Sequence, residues 1–162
     1  PNLFAADPEY REAANQLAEK TWELTSFLVD VAGVELPDNG FSGTVVMHDA
    51  CSALRELNIR EQPRGLLGQQ RGCREQALEH PDVCCGFGGL FCTKYPEISD
   101  RIADKKLADI RSRGAQADAL ISTDLGCLMH LGGKLHREAG AAALPVLHIA
   151  EVLAGMTGEE GD

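Results

Sequence analysis

Apolar residues recur at helical spacing between residues 8 and 32, where Ala14, Leu17, Ala18, Leu24, Leu28 and Val31 alternate with acids and bases. That period predicts one long helix, ended by Gly33 and followed by a turn at Pro37-Asp38-Asn39-Gly40. Residues 43–47 (GTVVM) form a short β-branched run and predict a buried strand. Residues 52–59 and 63–69 read as short helices, with Pro63 suited to a helix start. Residues 73–79 lean towards a strand entering a loop over 81–90. A second long helix is predicted at Pro96–Arg113, with Ile98, Ile102, Leu107 and Ile110 on its apolar side and Gly114 beyond its end. Residues 117–122 (ADALIS) read as a strand and 123–126 as a turn. A helix opened by Cys127 then runs to about Glu138. Residues 145–149 (PVLHI) give a last strand, and 149–156 a last helical turn or two.

Strands that alternate with helices predict an α/β fold, a Rossmann-like three-layer domain with a short, mainly parallel sheet and helices on both faces. The chain reads as a single domain over 1–162, with 1–40 as an N-terminal helix and linker and the acidic 158–162 as a disordered tail. Ligands of such sheets lie beyond the carboxyl ends of the strands. Cys51, the Cys84-Cys85 pair and Cys127 each fall just after a predicted strand. Three segments thus deliver sulfur to one edge of one sheet.

Composition narrows the partners. A chain of 162 residues with 44% hydrophobic content builds a core without disulfide staples. The net charge of −10 argues against nucleic acid and anionic lipid, and a small anionic substrate would need a local positive patch. No apolar run is long enough for a membrane span. No export signal is in view, which suggests a cytoplasmic protein, and the start at Pro1 suggests a piece of a longer chain. Six cysteines in a reducing compartment point to metal or redox chemistry more than to a disulfide framework.

The segment Cys84-Cys85-Gly86-Phe87-Gly88-Gly89 has what a cluster site needs: adjacent thiols, and a backbone that glycine frees for close approach. The N–H groups of Gly86, Gly88 and Gly89 are candidate donors to cluster sulfur. Helix N-termini after Pro96 and at Cys127 would favour thiolate. Buried cysteine is also a common packing residue. Zinc on three cysteines and His130 stays open, although no intact Cys-x-x-Cys knuckle occurs. A thiol–disulfide site stays open too, against the unusual vicinal spacing. Cys73 and Cys92 read as structural or peripheral. His48 and Asp49 suit hydrogen bonding around the loop. His80, His136 and His148 read as surface or core residues, and Arg55 and Arg64 as charge-balancing or solvated. Ser52 and Ser122 have no triad partners in view.

The Cys51, Cys84-Cys85-Gly86 and Cys127 pattern resembles the cysteine-rich CCG-domain family. That family includes a heterodisulfide reductase subunit and iron–sulfur subunits of glycolate and glycerol-3-phosphate oxidation. Within it, His48-Asp49-Ala50-Cys51, Leu54-Arg55-Glu56-Leu57, Pro63-Arg64, the CCGFGG segment, Tyr95-Pro96-Glu97-Ile98-Ser99, Asp124–Met129 (DLGCLM) and His148–Leu153 (HIAEVL) are similar to iron–sulfur subunits of L-lactate oxidation. The resemblance implies that Cys51, Cys84, Cys85 and Cys127 ligate an iron–sulfur cluster of the 4Fe-4S type. It implies an electron-transfer subunit of an oxidoreductase complex that makes pyruvate, with partner subunits that include a second iron–sulfur protein. No catalytic residue is assigned to this chain. The alternatives are a zinc-bearing or metal-free docking module, or a heterodisulfide-reductase-like thiol/disulfide subunit. Two departures stand out: a related N-terminal half is missing, and His130 replaces the family's fourth cysteine.

Overall fold

The computed structural model describes residues 2–113 and 116–157. The expected helix-ending Gly114 and the expected tail at 158–162 lie outside the described residues. The chain divides into two compact units, Pro1–Val34 and Glu35–Asp162.

In the first unit the expected single helix over 8–32 is interrupted. Helix α1 is Arg11–Glu19 and α2 is Leu24–Ser26, which runs into a π-helical turn at Phe27–Val31. The break has a local cause. Thr21 folds its hydroxyl onto the Leu17 carbonyl at 2.7 Å, and the Glu23 carboxylate accepts from the N–H groups of Thr25 and Ser26 at 2.8 and 3.0 Å. A side chain that caps a new helix competes with continuing the old one. The apolar stripe is therefore not one buried face: Leu17, Leu24 and Val31 are exposed.

The second unit is built on a four-stranded sheet in the order β2-β1-β3-β4, every pairing parallel. The strands are β1 (Ser42–His48), β2 (Gly72–Glu75), β3 (Ala119–Ser122) and β4 (Val146–His148). The helices are α3 (Cys51–Glu56), α4 (Glu61–Leu67), α5 (Leu90–Lys94), α6 (Pro96–Arg113), α7 (Leu125–Ala139) and α8 (Ile149–Leu153). Alternation along the two central strands sends side chains to both faces. Val46 and Leu120 join Ala103, Leu107, Ile110, Leu128 and Leu131 of α6 and α7 in one core. Val45, Met47, Ala119 and Ile121 join Leu67, Ile149 and Val152 of α4 and α8 in the other. This is the expected α/β architecture with helices on both faces.

Some boundaries differ from expectation. Pro63 lies inside the first turn of α4 rather than opening it, and Cys127 is the third residue of α7 because Asp124 caps that helix. Helix α6 buries Leu107 and Ile110 as expected but not its whole expected apolar side. Ile98 is exposed, while Ser99, Ala103, Lys106, Leu107, Asp109 and Ile110 are buried. The polar members of that face hold the loop over residues 79–86.

Because β1 pairs with β2 on one side and β3 on the other, the connections reverse direction between β1 and β3. That reversal opens a crevice at the carboxyl ends of the two strands, where ligands of open α/β sheets bind. His48 and Ser122, the last residues of β1 and β3, are register partners there.

Candidate metal centre

Three buried side chains meet at this crevice. His48 ends β1, Cys85 comes from the Cys-Cys-Gly loop, and Cys127 lies in the first turn of α7. One ligand atom from each lies within 4.8 Å of the others. The Cys85 and Cys127 sulfurs are 3.1 Å apart. The three residues are 1%, 2% and 5% exposed.

Each wall of the site has its own support. Asp124 caps α7 by accepting from the Cys127 N–H at 2.8 Å, which fixes the turn that carries the sulfur. The loop is held by α6. Asp109 accepts from the N–H groups of Glu79 and His80 at 3.1 and 2.8 Å, and the Lys106 ammonium donates to the carbonyls of His80 and Pro81 at 2.9 Å each. Farther along, the Ser99 hydroxyl donates to the Gly86 carbonyl at 2.7 Å. Gly86 has φ +91°, and a Cβ there would lie 2.4 Å from the Ser99 carbonyl. Phe87 seats against Gly126 at the start of α7, where a Cβ would lie 2.5 Å from its ring. Sequence reasoning missed Ser99, Lys106 and Asp109. Their only trace was polar residues at helical spacing beside Ala103 and Ile110.

The electrostatics follow from the packing. The Gly86 N–H points at the Cys84 sulfur at 3.3 Å and the Phe87 N–H at the Cys85 sulfur at 3.4 Å. The hydrogen bond between the two sulfurs pushes the Cys85 thiol down and the Cys127 thiol up. Partial burial pushes the Cys84 thiol up against the opposing Gly86 N–H. The His48 ring faces Cys85 and also favours its thiolate, yet neither ring nitrogen makes a hydrogen bond of ordinary geometry among the described residues. A buried polar atom without a partner costs about 1–3 kcal/mol, so two such nitrogens beside two thiols fit a site made to receive a metal. One imidazole nitrogen and two sulfurs is a donor set that suits iron–sulfur clusters or zinc.

The other candidates fall as follows. Cys84 is half-buried beside Cys85, and Cys51 opens α3 exposed, just beyond β1. Gly86, Gly88 and Gly89 all have positive φ, as their place in a tight loop requires. Cys92 donates to the Gly89 carbonyl at 3.0 Å, and Cys73 packs against the core of α4 and α8. Asp49 forms a two-pronged pair with Arg64, at 2.8 and 3.2 Å, and Arg64 also meets Glu75, so this arginine is already neutralised. His130 bonds the Ser99 hydroxyl at 3.2 Å and packs near the Phe87 ring, apart from the His48-Cys85-Cys127 group. His148 caps α8 by accepting from the Ala150 N–H.

Residues 45–132, more than half of the chain, match the cysteine-rich CCG domain, and the chain belongs to that family. Among curated proteins it is similar to lactate utilization protein A of Bacillus velezensis, 41% identical over 153 residues, and of Bacillus subtilis, 40% identical over 153 residues. The protein of the same name from Geobacillus kaustophilus is also 40% identical. These alignments cover 94% of this chain and 62–63% of the relatives, so the chain spans a little under two thirds of their length. Among the described residues no helix is long and apolar enough to cross a membrane.

Proposed function

We propose that this chain is the iron–sulfur electron-transfer subunit of a complex that oxidises L-lactate to pyruvate. The observation that carries the reading is the meeting of the Cys85 and Cys127 sulfurs, 3.1 Å apart and buried at the crevice between β1 and β3. The likeness to lactate utilization protein A supports the choice of lactate. In this reading Cys51, Cys84, Cys85 and Cys127 ligate a 4Fe-4S cluster, and Gly86, Gly88 and Gly89 let the backbone come close to it. The chain is then the C-terminal CCG half of a longer cytoplasmic protein, and it works with other subunits that include a second iron–sulfur protein.

A bound cluster would supply a one-electron carrier at this crevice. The chain's own residues hold and insulate. Burial of Cys85 and Cys127 excludes water, and the N–H groups of Gly86 and Phe87 stabilise negative charge on sulfur. Conversion of lactate to pyruvate releases two electrons and two protons. Of the carboxylates beside the crevice, Asp49 is paired with Arg64 and Asp124 caps α7, and the reading assigns the two protons to an acceptor on a partner subunit.

The test is iron, acid-labile sulfide and zinc on protein made and kept without oxygen. About four irons with matching sulfide, lost in Cys85→Ala, is the expected result. Iron and sulfide unchanged in Cys85→Ala would remove this assignment. A second reading is favoured by the nitrogen-and-two-sulfur donor set: stoichiometric zinc without sulfide would make the domain a docking module.

A further inference from the structure

We propose that His48, rather than His130, supplies the non-cysteine ligand that completes the site of Cys85 and Cys127; the inference rests on the preceding reading only for which metal is bound. His130 stands where the family pattern has its last cysteine, but its ring is engaged elsewhere. It bonds the Ser99 hydroxyl, which in turn holds the Gly86 carbonyl. His48 has the opposite character. Its backbone carbonyl accepts from the Ser122 hydroxyl at 2.9 Å, which anchors the residue at the strand end. Its ring is 1% exposed, faces Cys85, makes no hydrogen bond of ordinary geometry on either nitrogen among the described residues, and has one nitrogen within 4.8 Å of both sulfurs. Its neighbour Asp49 turns away to Arg64 and does not serve the ring. A histidine ligand normally donates its second nitrogen to an acceptor, and none is in place here. Beside the four cysteines, a neutral imidazole adds no negative charge to the bound group, so its reduction potential stays higher than a further thiolate would leave it.

The experiment compares the parent chain with His48→Ala, His48→Cys and His130→Ala, all made without oxygen. The readouts are bound iron, sulfide and zinc, and pulsed EPR of nitrogen coupling after labelling histidine with ¹⁵N. Far-UV circular dichroism confirms that each variant is folded. The expected result is a nitrogen coupling in the parent that persists in His130→Ala and is absent in His48→Cys, which keeps its metal. His48→Ala loses at least about tenfold in metal retention against a chelator. His48→Cys also shifts the reduction potential downward. A parent with iron and sulfide but no histidine coupling, or a His48→Ala protein with unchanged metal and spectrum, overturns the role of His48 and leaves the iron–sulfur reading intact. Zinc alone in the parent removes the iron–sulfur reading, and zinc retention by His48→Ala then decides the ligand. A parent that takes up neither metal on reconstitution overturns both.

Discussion

The two walls that bring Cys85 and Cys127 together are built by different means. The α7 wall is local. Asp124 caps the helix three residues before its own cysteine, so the turn that carries the sulfur is set by a short-range hydrogen bond, with Phe87 packed against Gly126 beside it. The loop wall is borrowed. Residues 79–86 have little regular structure of their own, and they keep their path because Ser99, Lys106 and Asp109 reach out from one face of α6. A loop without regular structure needs partners for its backbone groups where it runs inward to the buried Cys85 and Gly86, and here a helix provides them with side chains that would otherwise be unwelcome in a core. The lesson is that half of this site depends on the rotation of a helix that carries no ligand.

That contrast can be broken most severely at Gly86. The residue combines φ +91° with a backbone oxygen 2.4 Å from where a Cβ would stand. Gly86→Ala is expected to cost about 3 kcal/mol or more and to abolish metal binding, because a rigid carbonyl cannot move aside as a flexible side chain would. Urea unfolding together with metal analysis checks both. A variant of parental stability would mean that α6 does not clamp the loop.

Lys106→Met comes next. Lys106 is wholly buried, and burial pushes its ammonium pKa down; even so, it pairs with two carbonyls rather than with a carboxylate. Methionine keeps the apolar stem and leaves both carbonyls unpaired. The expected loss is about 2 kcal/mol, reduced from the full desolvation penalty because a buried charge is removed as well. Amide hydrogen exchange should rise across residues 79–86 and stay unchanged in α7. Equal loosening of both walls would contradict their independence.

The same contrast explains what could be read from the chain alone. The alternation of strands and helices was legible because short apolar runs such as 43–47 and 119–121 and the turns between them are local signals. The meeting of Cys85 and Cys127 was legible because the Cys-Cys-Gly loop and the start of α7 both follow strands of one sheet. The capping role of Asp124 lies in the short stretch Asp124-Leu125-Gly126-Cys127. What stayed hidden was tertiary. Apolar periodicity put Ile98 on the inner face of α6, but the loop's need for donors and acceptors turned Ser99, Lys106 and Asp109 inward instead. The interruption after α1 stayed hidden for a related reason, since a carboxylate at Glu23 outweighed a helical pattern that was otherwise continuous. His48 read as a residue around the loop rather than in the centre, because its unpaired ring shows only once its neighbours are placed.

Asp124→Ala should cost less than either loop variant, about 1 kcal/mol, the ordinary value of an N-cap. The loss should fall on the first turn of α7. Hydrogen exchange at Gly126 and Cys127 reports it, with residues 79–86 unaffected. Thermal melts of Asp124→Ala and Lys106→Met together should be additive, since the two supports share no partner. Strong coupling between them would show that the walls are one structure.

The smallest effect sharpens the loop side by pH. Glu79 starts the segment that α6 holds, and its carboxylate meets Arg113 at the end of that helix at 2.8 Å. The hydrogen bond from Arg113 pushes the Glu79 carboxyl below its ordinary value. A carboxyl with a lowered folded pKa contributes stability that is present above its unfolded pKa and lost as pH falls through the folded one. The pair should therefore release the segment only below the ordinary glutamate range of about 4.5. Both side chains are open to solvent, so the effect is small and falls further in high salt. In Glu79→Gln the acid limb of a pH–stability curve should flatten slightly, because the pair's small contribution is already missing at neutral pH. The backbone N–H of Glu79 still reaches Asp109 in that variant, so metal content should be unaltered. If Glu79→Gln released metal at neutral pH, the loop would be held from its exposed end rather than from the buried face of α6.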